Sequence, residues 1–408
     1  MLSLFKQIEV KLDRKLRRKL NPSLKLKLIL NRNLNLNLKP FLKASAGILL
    51  LSTCTKKDVI LVGHFATMTG SEASFGTSTD EAIKMARDEV NAAGGIHGKK
   101  IEIITLDDQG RPELAAAMVK RLIEQDKVVA ILGEVASTRT LAAAPIAQKS
   151  KIPLVTPSST NPKVTQIGDY IFRTCFIDPF QGTVMANFTL NNLKLKKVAI
   201  FRDIKSDYSV GLADFFKARL LELGGTVVED LSYQSGDVDF NGQLTKIKSA
   251  QPEAVFIPGY YTEVGLIALQ ARQAGIKAAL LGGDGWESTK LYEIGKDAVE
   301  GGYFSNHYSG DSTDPIVVSF VKKYKEKYGR VPDGMAATGY DGAKILFQAI
   351  ANAASPTPEL IRDQLAMIKD YNGVTGKISM NEKRDAVKGA VVVQVTGKST
   401  KFVQNVNP

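Results

Sequence analysis

Three short stretches, GEVASTRT at 133–140, VTPSSTNP at 155–162 and LGGDGW at 281–286, each follow an apolar run that reads as a buried strand. Open α/β sheets bind ligands at the carboxyl ends of their strands. The first two stretches place hydroxyls and free backbone N–H groups at expected helix starts, where orphan donors and the helix dipole hold a carboxylate. The third supplies one acid, Asp284, which suits an ammonium. Brought to one sheet edge, these groups describe a socket for a free α-amino acid. Singly they say less: Ser137 and Thr160 are ordinary cap or turn residues, and Asp284 between glycines is an ordinary turn acid. The joint placement at strand ends carries the reading.

The elements that must position them alternate regularly. DVILVGHF at 58–65 reads as a strand, and 79–92 as a helix with Ile83, Ala86 and Val90 at helical spacing and Asp80 and Glu81 in its first turn. KKIEIITLDD, VVAILG and IPLVT continue as strands, with ELAAAMVKRLIEQ and 138–149 as helices and a long loop over 157–169. After Pro179, strands KKVAIFRD, TVVEDLSY, AVFIPG and AALLGG alternate with helices near 210–223, 239–250 and 262–274. The tail returns to helices near 313–328, 335–353 and 357–368 and ends in the strand-like GAVVVQVT. Two such series predict an α/β chain of two doubly wound lobes, each with a mostly parallel sheet buried on both faces. Switches of lobe near 178, 307 and 387 predict three crossings that form a hinge beside a cleft.

Net charge is +12, but residues 1–53 hold 12 basic and 2 acidic residues, and from Cys54 onward the balance is 42 basic to 40 acidic. The basicity therefore belongs to a leader and gives no reason to expect nucleic-acid binding. Lys39 and Lys43 flank the short apolar run Ala44 to Leu51, ahead of Leu51-Ser52-Thr53-Cys54, the charged, apolar, cleavage-site order of a secretory signal. That run is too short to span a bilayer. The Leu/Lys/Asn/Arg-rich run over 5–38 fits a start site assigned too early, and a DNA-binding arm is its rival reading. Cys54 and Cys175 are the only cysteines, so neither a disulfide framework nor a CxxC metal site is expected.

The order of VNAAGGIHGKKIEI, the LDD after it, GEVASTRT, IPLVTPSSTNPKVTQIGDYIFRT, DYSVGLADFF, PGYYTEVG and LGGDGW resembles the periplasmic branched-chain amino-acid binding proteins, the type I solute-binding proteins of ABC importers. The likeness runs from about Val59 to Gln394. It implies the type I periplasmic-binding-protein fold, two Rossmann-like lobes with the ligand between them: 58–178 plus 308–387 as the N-terminal lobe and 179–307 plus 388–408 as the C-terminal lobe. Carried over by position, Ser137 holds the ligand carboxylate. Thr160 shares it through its N–H, while the Thr160 hydroxyl and the Ser158 carbonyl take the ammonium. Asp284 is the charged partner of that ammonium, Tyr208 and Tyr260 line the wall, and Phe75, in the loop after the first strand, packs on the side chain. Alone, the two tyrosines read as half-buried packing residues. The family's well-known amino-acid binders carry Glu where this chain has Asp284, and a cysteine pair of some members is replaced by Gly110 and Ala136. Trp286 is placed at the pocket rim.

Cys54 after small residues resembles a lipobox, with Thr53 where the pattern prefers Gly, Ala or Ser. The implied protein is a monomeric, membrane-anchored extracytoplasmic lipoprotein that passes an amino acid to permease subunits, with no enzyme activity and no cofactor. The alternatives are a receptor for short amides, urea or aromatic acids, and a sensor subunit that signals through a membrane partner. GxGxxG, GxxxxGK[ST] and GxSxG motifs are missing, which argues against dinucleotide, P-loop and hydrolase chemistry. His64, His97 and His307 lie far apart and are expected to be surface or loop residues.

Overall fold

The computed structural model describes residues 59–408. Two sheets organise them. The first holds β1 (Val59–Ala66), β2 (Lys100–Asp107), β3 (Ala130–Leu132), β4 (Leu154–Thr156) and β5 (Ile171–Arg173) in the order β2-β1-β3-β4-β5, every pairing parallel. Successive residues of a strand point to opposite faces. Ile60 and Val62 accordingly join one core with α1 (Ala73–Ala92), and Leu61 and Phe65 join another with α2 (Pro112–Glu124) and α3 (Ser137–Lys149).

The second sheet is built by the same rule from β6 (Lys197–Asp203), β7 (Thr226–Tyr233), β8 (Ala254–Phe256), β9 (Ala279–Gly282) and β10 (Tyr303–Asn306). Its order is β15-β14-β10-β9-β8-β6-β7, where β14 (Ala390–Thr396) and β15 (Ser399–Val406) add antiparallel to β10. Val198 and Ile200 face α4 (Asp178–Asn187) and α5 (Asp207–Glu222), while Ala199 and Phe201 face α6 (Asn241–Ala250) and α7 (Tyr261–Gln273). The inner strands of both sheets are thus covered on both faces, which is why β1, β3, β6 and β8 read as near-continuous apolar runs, while the edge strands β2, β7 and β15 are partly exposed.

The chain passes between the sheets three times. β5 leads into α4, which packs under the second sheet; β10 leads back to α8 (Pro315–Tyr328), which packs with α1 and α9 (Gly334–Asn352). α10 (Pro358–Ala366) and a small sheet of β11 (Tyr371–Gly373), β12 (Gly376–Met380) and β13 (Ala386–Val387) precede the final pass into β14.

Several boundaries differ from expectation. α1 begins at Ala73, so Asp80 and Glu81 lie inside it and Phe75 sits in its first turn instead of in a loop. Tertiary contacts outweigh the weak helix propensity of this Gly/Ser/Thr-rich segment. The Ser74 N–H donates to the Tyr261 hydroxyl at 3.2 Å, and a Cβ on Gly76 would come within 2.0 Å of the Thr67 carbonyl oxygen. The loop expected over 157–169 contains a helical turn, Lys163–Gln166. Among the described residues no helix is long and apolar enough to cross a membrane, and the leader and Cys54 lie outside them.

Candidate functional site

Ser137 opens α3 and is buried, its Oγ accepting from the Asn161 N–H at 3.2 Å. The turn ahead of it is held by a buried ion cluster. Arg139 Nε meets Glu134 Oε2 at 2.9 Å, Arg139 Nη2 meets Glu72 Oε2 at 2.6 Å, and Glu134 Oε2 accepts from the Ala136 N–H at 2.5 Å. The flanking carboxylates hold the Arg139 guanidinium well above its usual pKa although burial opposes them. The helix start is thereby held in place, and its first N–H groups have no partner within the helix.

The loop after β4 is pinned from below by Arg173. This fully buried guanidinium donates to the carbonyls of Ser159 at 2.6 Å and Asn161 at 2.8 Å and pairs with Asp385 at 2.6 Å. Ser158 Oγ meets Thr338 Oγ1 at 2.7 Å; the Thr160 hydroxyl is buried, makes no hydrogen bond of normal geometry among the described residues, and lies close enough to Asp178 to favour its carboxylate.

Asp284 lies in a single helical turn directly after β9, at 3% exposure. Its N–H donates to Gln181 Oε1 at 2.8 Å, and the following Gly285 N–H donates to the Tyr208 hydroxyl at 3.1 Å. A side chain at 285 is excluded, because a Cβ there would stand 2.6 Å from the Gly259 carbonyl oxygen and 2.9 Å from the Tyr260 ring. Tyr208 and Tyr260 stack with centroids 5.3 Å apart, and Phe75 meets Tyr260 edge-on at 5.7 Å. Asp284 Oδ2 accepts from His307 Nε2 at 2.9 Å, while Oδ1 has no partner among the described residues.

Two titratable residues join this corner without having been singled out in the sequence. Asp178, the first residue of α4, is fully buried, with Oδ2 unpartnered. Its carboxyl is pushed up to about 8, by burial first; the Thr160 hydroxyl pulls against that shift and the Asp284 charge adds to it. Of the three histidines expected at the surface or in loops, His97 is an exposed turn residue, its ring in contact with the Ile350 carbonyl at 3.3 Å. His307 lies in the loop after β10 but is only 2% exposed, and His64 is buried within β1, against the expectation. Burial holds the His307 imidazole below its usual pKa against the pull of Asp284. The IDP and NHY contexts of these two residues carry no motif, so only a rule that inspects each chain crossing for titratable groups would have found them.

Trp286 is not a rim residue. It is fully buried in the second core, donating from Nε1 to the Ile257 carbonyl at 2.9 Å. Cys175 is free and buried, its thiol pushed up to about 12 by desolvation, as a small apolar core residue. Among the described residues no group of His, Cys, Asp and Glu has metal-site geometry.

Hydrogen bonds close the structure over these groups. Asp207 N–H donates to Thr138 Oγ1 at 2.9 Å, Asn161 Nδ2 to the Asp207 carbonyl at 2.8 Å, Thr262 Oγ1 to the Ser71 carbonyl at 2.7 Å, and Gly334 N–H to Glu287 Oε1 at 2.9 Å. Each joins an element packed on one sheet to an element packed on the other. An open groove of about 960 Å³ runs past Ser74, Tyr261, Glu287 and Asp333. Ser137, Thr160 and Asp284 do not line it and are shut from solvent behind these contacts. The enclosed corner therefore offers an anion-holding helix start on one side and two carboxylates with a free hydroxyl on the other, beside aromatic walls.

Comparison with known proteins agrees with this architecture. An amino acid binding protein of Pseudomonas aeruginosa is 32% identical over 370 residues, covering 88% of this chain and 96% of its own. The crystal structure of leucine binding protein LivK from Thermotoga maritima superposes with a TM-score of 0.83 at 42% identity, over 86% of this chain and 99% of that one. LivJ of Streptococcus pneumoniae, the substrate binding protein of a branched-chain amino acid transporter solved with isoleucine, gives 0.81 at 34% identity, over 86% and 100%. Residues 59–400 match the family model described as periplasmic binding protein, and the chain belongs to that family, one of extracytoplasmic binding proteins and not of enzymes.

Proposed function

We propose that this protein captures a free branched-chain amino acid, leucine, isoleucine or valine, outside the cytoplasm and delivers it to the permease of an ABC importer. The observation that carries the reading is the polarity of the enclosed corner: the Ser137 hydroxyl and the N–H groups at the start of α3, opposed by Asp284 Oδ1 and Asp178 Oδ2, which have no partner among the described residues. A zwitterion satisfies both ends at once. An aromatic acid or urea brings no positive charge for the buried Asp284 carboxylate and adds none that would ionise Asp178, and a buried charge without a partner is costly. Apolar contact from Phe75, Tyr208 and Tyr260 suits an aliphatic side chain, and the ligands of the LivK and LivJ relatives point the same way.

In this reading Ser137, Ser158 and Thr160 belong to an N-terminal lobe of 58–178 plus 308–387, and Tyr208, Tyr260 and Asp284 to a C-terminal lobe of 179–307 plus 388–408. Phe75 reaches across from the first lobe, and ligand closes the two. The direct test is a thermal-shift screen of purified protein against the twenty amino acids, urea, acetamide and benzoate. Stabilisation by leucine, isoleucine or valine is the expected result, and a response to benzoate or amides alone would reject the assignment.

Asp178 makes binding pH-dependent with a definite sign. Its carboxyl, raised to about 8, is largely protonated at pH 7, whereas an adjacent ammonium favours the carboxylate. Binding should therefore release a proton, and leucine affinity should climb as pH rises from 6 to 8 and then level off. Calorimetry in buffers of different ionisation enthalpy reads that proton directly; Asp178→Asn should remove it, and an equal proton count in this variant would place its source elsewhere.

For the leader, the reading is a lipoprotein signal with Cys54 as the acylated residue. Cys54→Ala should then move the protein from the detergent phase to the aqueous phase on partitioning, since each buried CH₂ of an acyl chain contributes about 0.8 kcal/mol. Continued detergent partitioning would mean another anchor.

A further inference from the structure

The three chain crossings each bring one titratable side chain to the same place: Asp178 on the first, His307 on the second and Lys388 on the third. Of these His307 is tied to Asp284 most directly. Its Nε2 lies 2.9 Å from Asp284 Oδ2, and its ring stacks on Phe176 with centroids 4.0 Å apart and planes 23° from parallel. The groups facing it are few. Asp284 approaches from the turn after β9. Lys388 approaches from the segment before β14, donating to the His307 carbonyl at 3.5 Å and standing 5.7 Å over the same Phe176 ring. Asp284 in turn acts on Asp178 in α4 and on Cys175 just before it, and Asp341 acts on Lys388 from α9. The Lys388 ammonium is pushed down to about 8 by burial and makes no ion pair among the described residues.

A carboxylate only accepts hydrogen bonds, so Nε2 carries the proton and the imidazole is fixed as one tautomer. A carboxylate is broadly free about its terminal torsion. Stacked against Phe176, on a residue whose backbone N–H donates to Asn306 Oδ1 at 2.7 Å, the imidazole is a restrained donor that removes this freedom. As a neutral donor it does so without cancelling the charge on Asp284, which a lysine or arginine in its place would do.

We propose that His307 is the positioning residue of ammonium recognition: its Nε2–H holds Asp284 Oδ2 so that Oδ1 is presented to the cationic end of the ligand. The inference rests on the proposed function for the ligand and on the His307–Asp284 geometry for the pairing. A second consequence is steric and electronic. The imidazole takes one carboxylate oxygen out of use, so the corner accepts a single primary ammonium and disfavours a guanidinium that needs both oxygens of one acid.

The test combines binding with a spectroscopic signature. Leucine titrations at pH 8 of wild type, His307→Leu and His307→Gln should show affinity reduced about tenfold or more in the leucine variant and largely recovered in the glutamine variant, whose amide can still donate. Equal affinity in all three, or glutamine no better than leucine, would overturn the proposal. In parallel, nitrogen-15 spectra of the ligand-free protein should show a neutral Nε2–H tautomer for one of its three histidines, missing in His307→Gln and shifted in Asp284→Ala. An Nδ1–H tautomer, or a signal indifferent to Asp284→Ala, would overturn it even where His307→Leu fails to fold. If wild type binds no amino acid, the reading of the ligand fails, and the imidazole signal still decides the pairing.

Discussion

Replacing Asp284 by alanine is expected to weaken leucine binding more than tenfold, over about 1.4 kcal/mol. The acid is buried, one oxygen is committed to His307 and the other is free, so an incoming ammonium gains a charge-assisted hydrogen bond that nothing else on its lobe replaces. Asp178 stands close enough to act on Asp284, yet its raised pKa makes it a reluctant second anion at neutral pH. Asp284→Asn separates the two contributions, keeping shape and hydrogen bonding while deleting charge, and should recover only part of the loss. Isothermal titration with leucine reads both variants. An alanine variant that binds as wild type would remove Asp284 from the site.

Arg173→Met should cost about 3–5 kcal/mol of folding stability, the range for breaking a buried ion pair from one side. The variant leaves the Asp385 charge with only the Thr165 hydroxyl on its Oδ1 and also releases the carbonyls of Ser159 and Asn161 that the guanidinium satisfies. Those carbonyls flank Thr160, so the same change should loosen the loop and reduce ligand affinity. Asp385→Asn leaves Arg173 its carbonyl partners and should cost less. Urea unfolding of the three proteins gives the ranking; equal midpoints for Arg173→Met and wild type would contradict this account of the loop.

Sequence alone determined the parts of this protein that depend on local pattern. Apolar runs of strand length such as VILVGHF and VAIFRD, broken by glycines and followed by helical spacing, required two mostly parallel sheets buried on both faces, because the period of apolar residues reports which surfaces must leave water. The strand-end position of Ser137, Thr160 and Asp284 was legible for the same reason, since each directly follows such a run. The start of α1 was not, because packing of Phe75 on Tyr260 and Tyr261 across the closed structure, and not helix propensity, draws residues 73–78 into the helix. Nor were Asp178 and His307. Nothing within ten residues of either distinguishes a solvated loop acid or histidine from a buried one. Their burial arises where three chain crossings, more than 80 residues apart in pairs such as His307 and Lys388, converge on one point. Only the tertiary structure brings them to Asp284, and it does so because a hinge shared by two sheets must pass every crossing through the same narrow space, where desolvation turns ordinary side chains into a coupled set of charges.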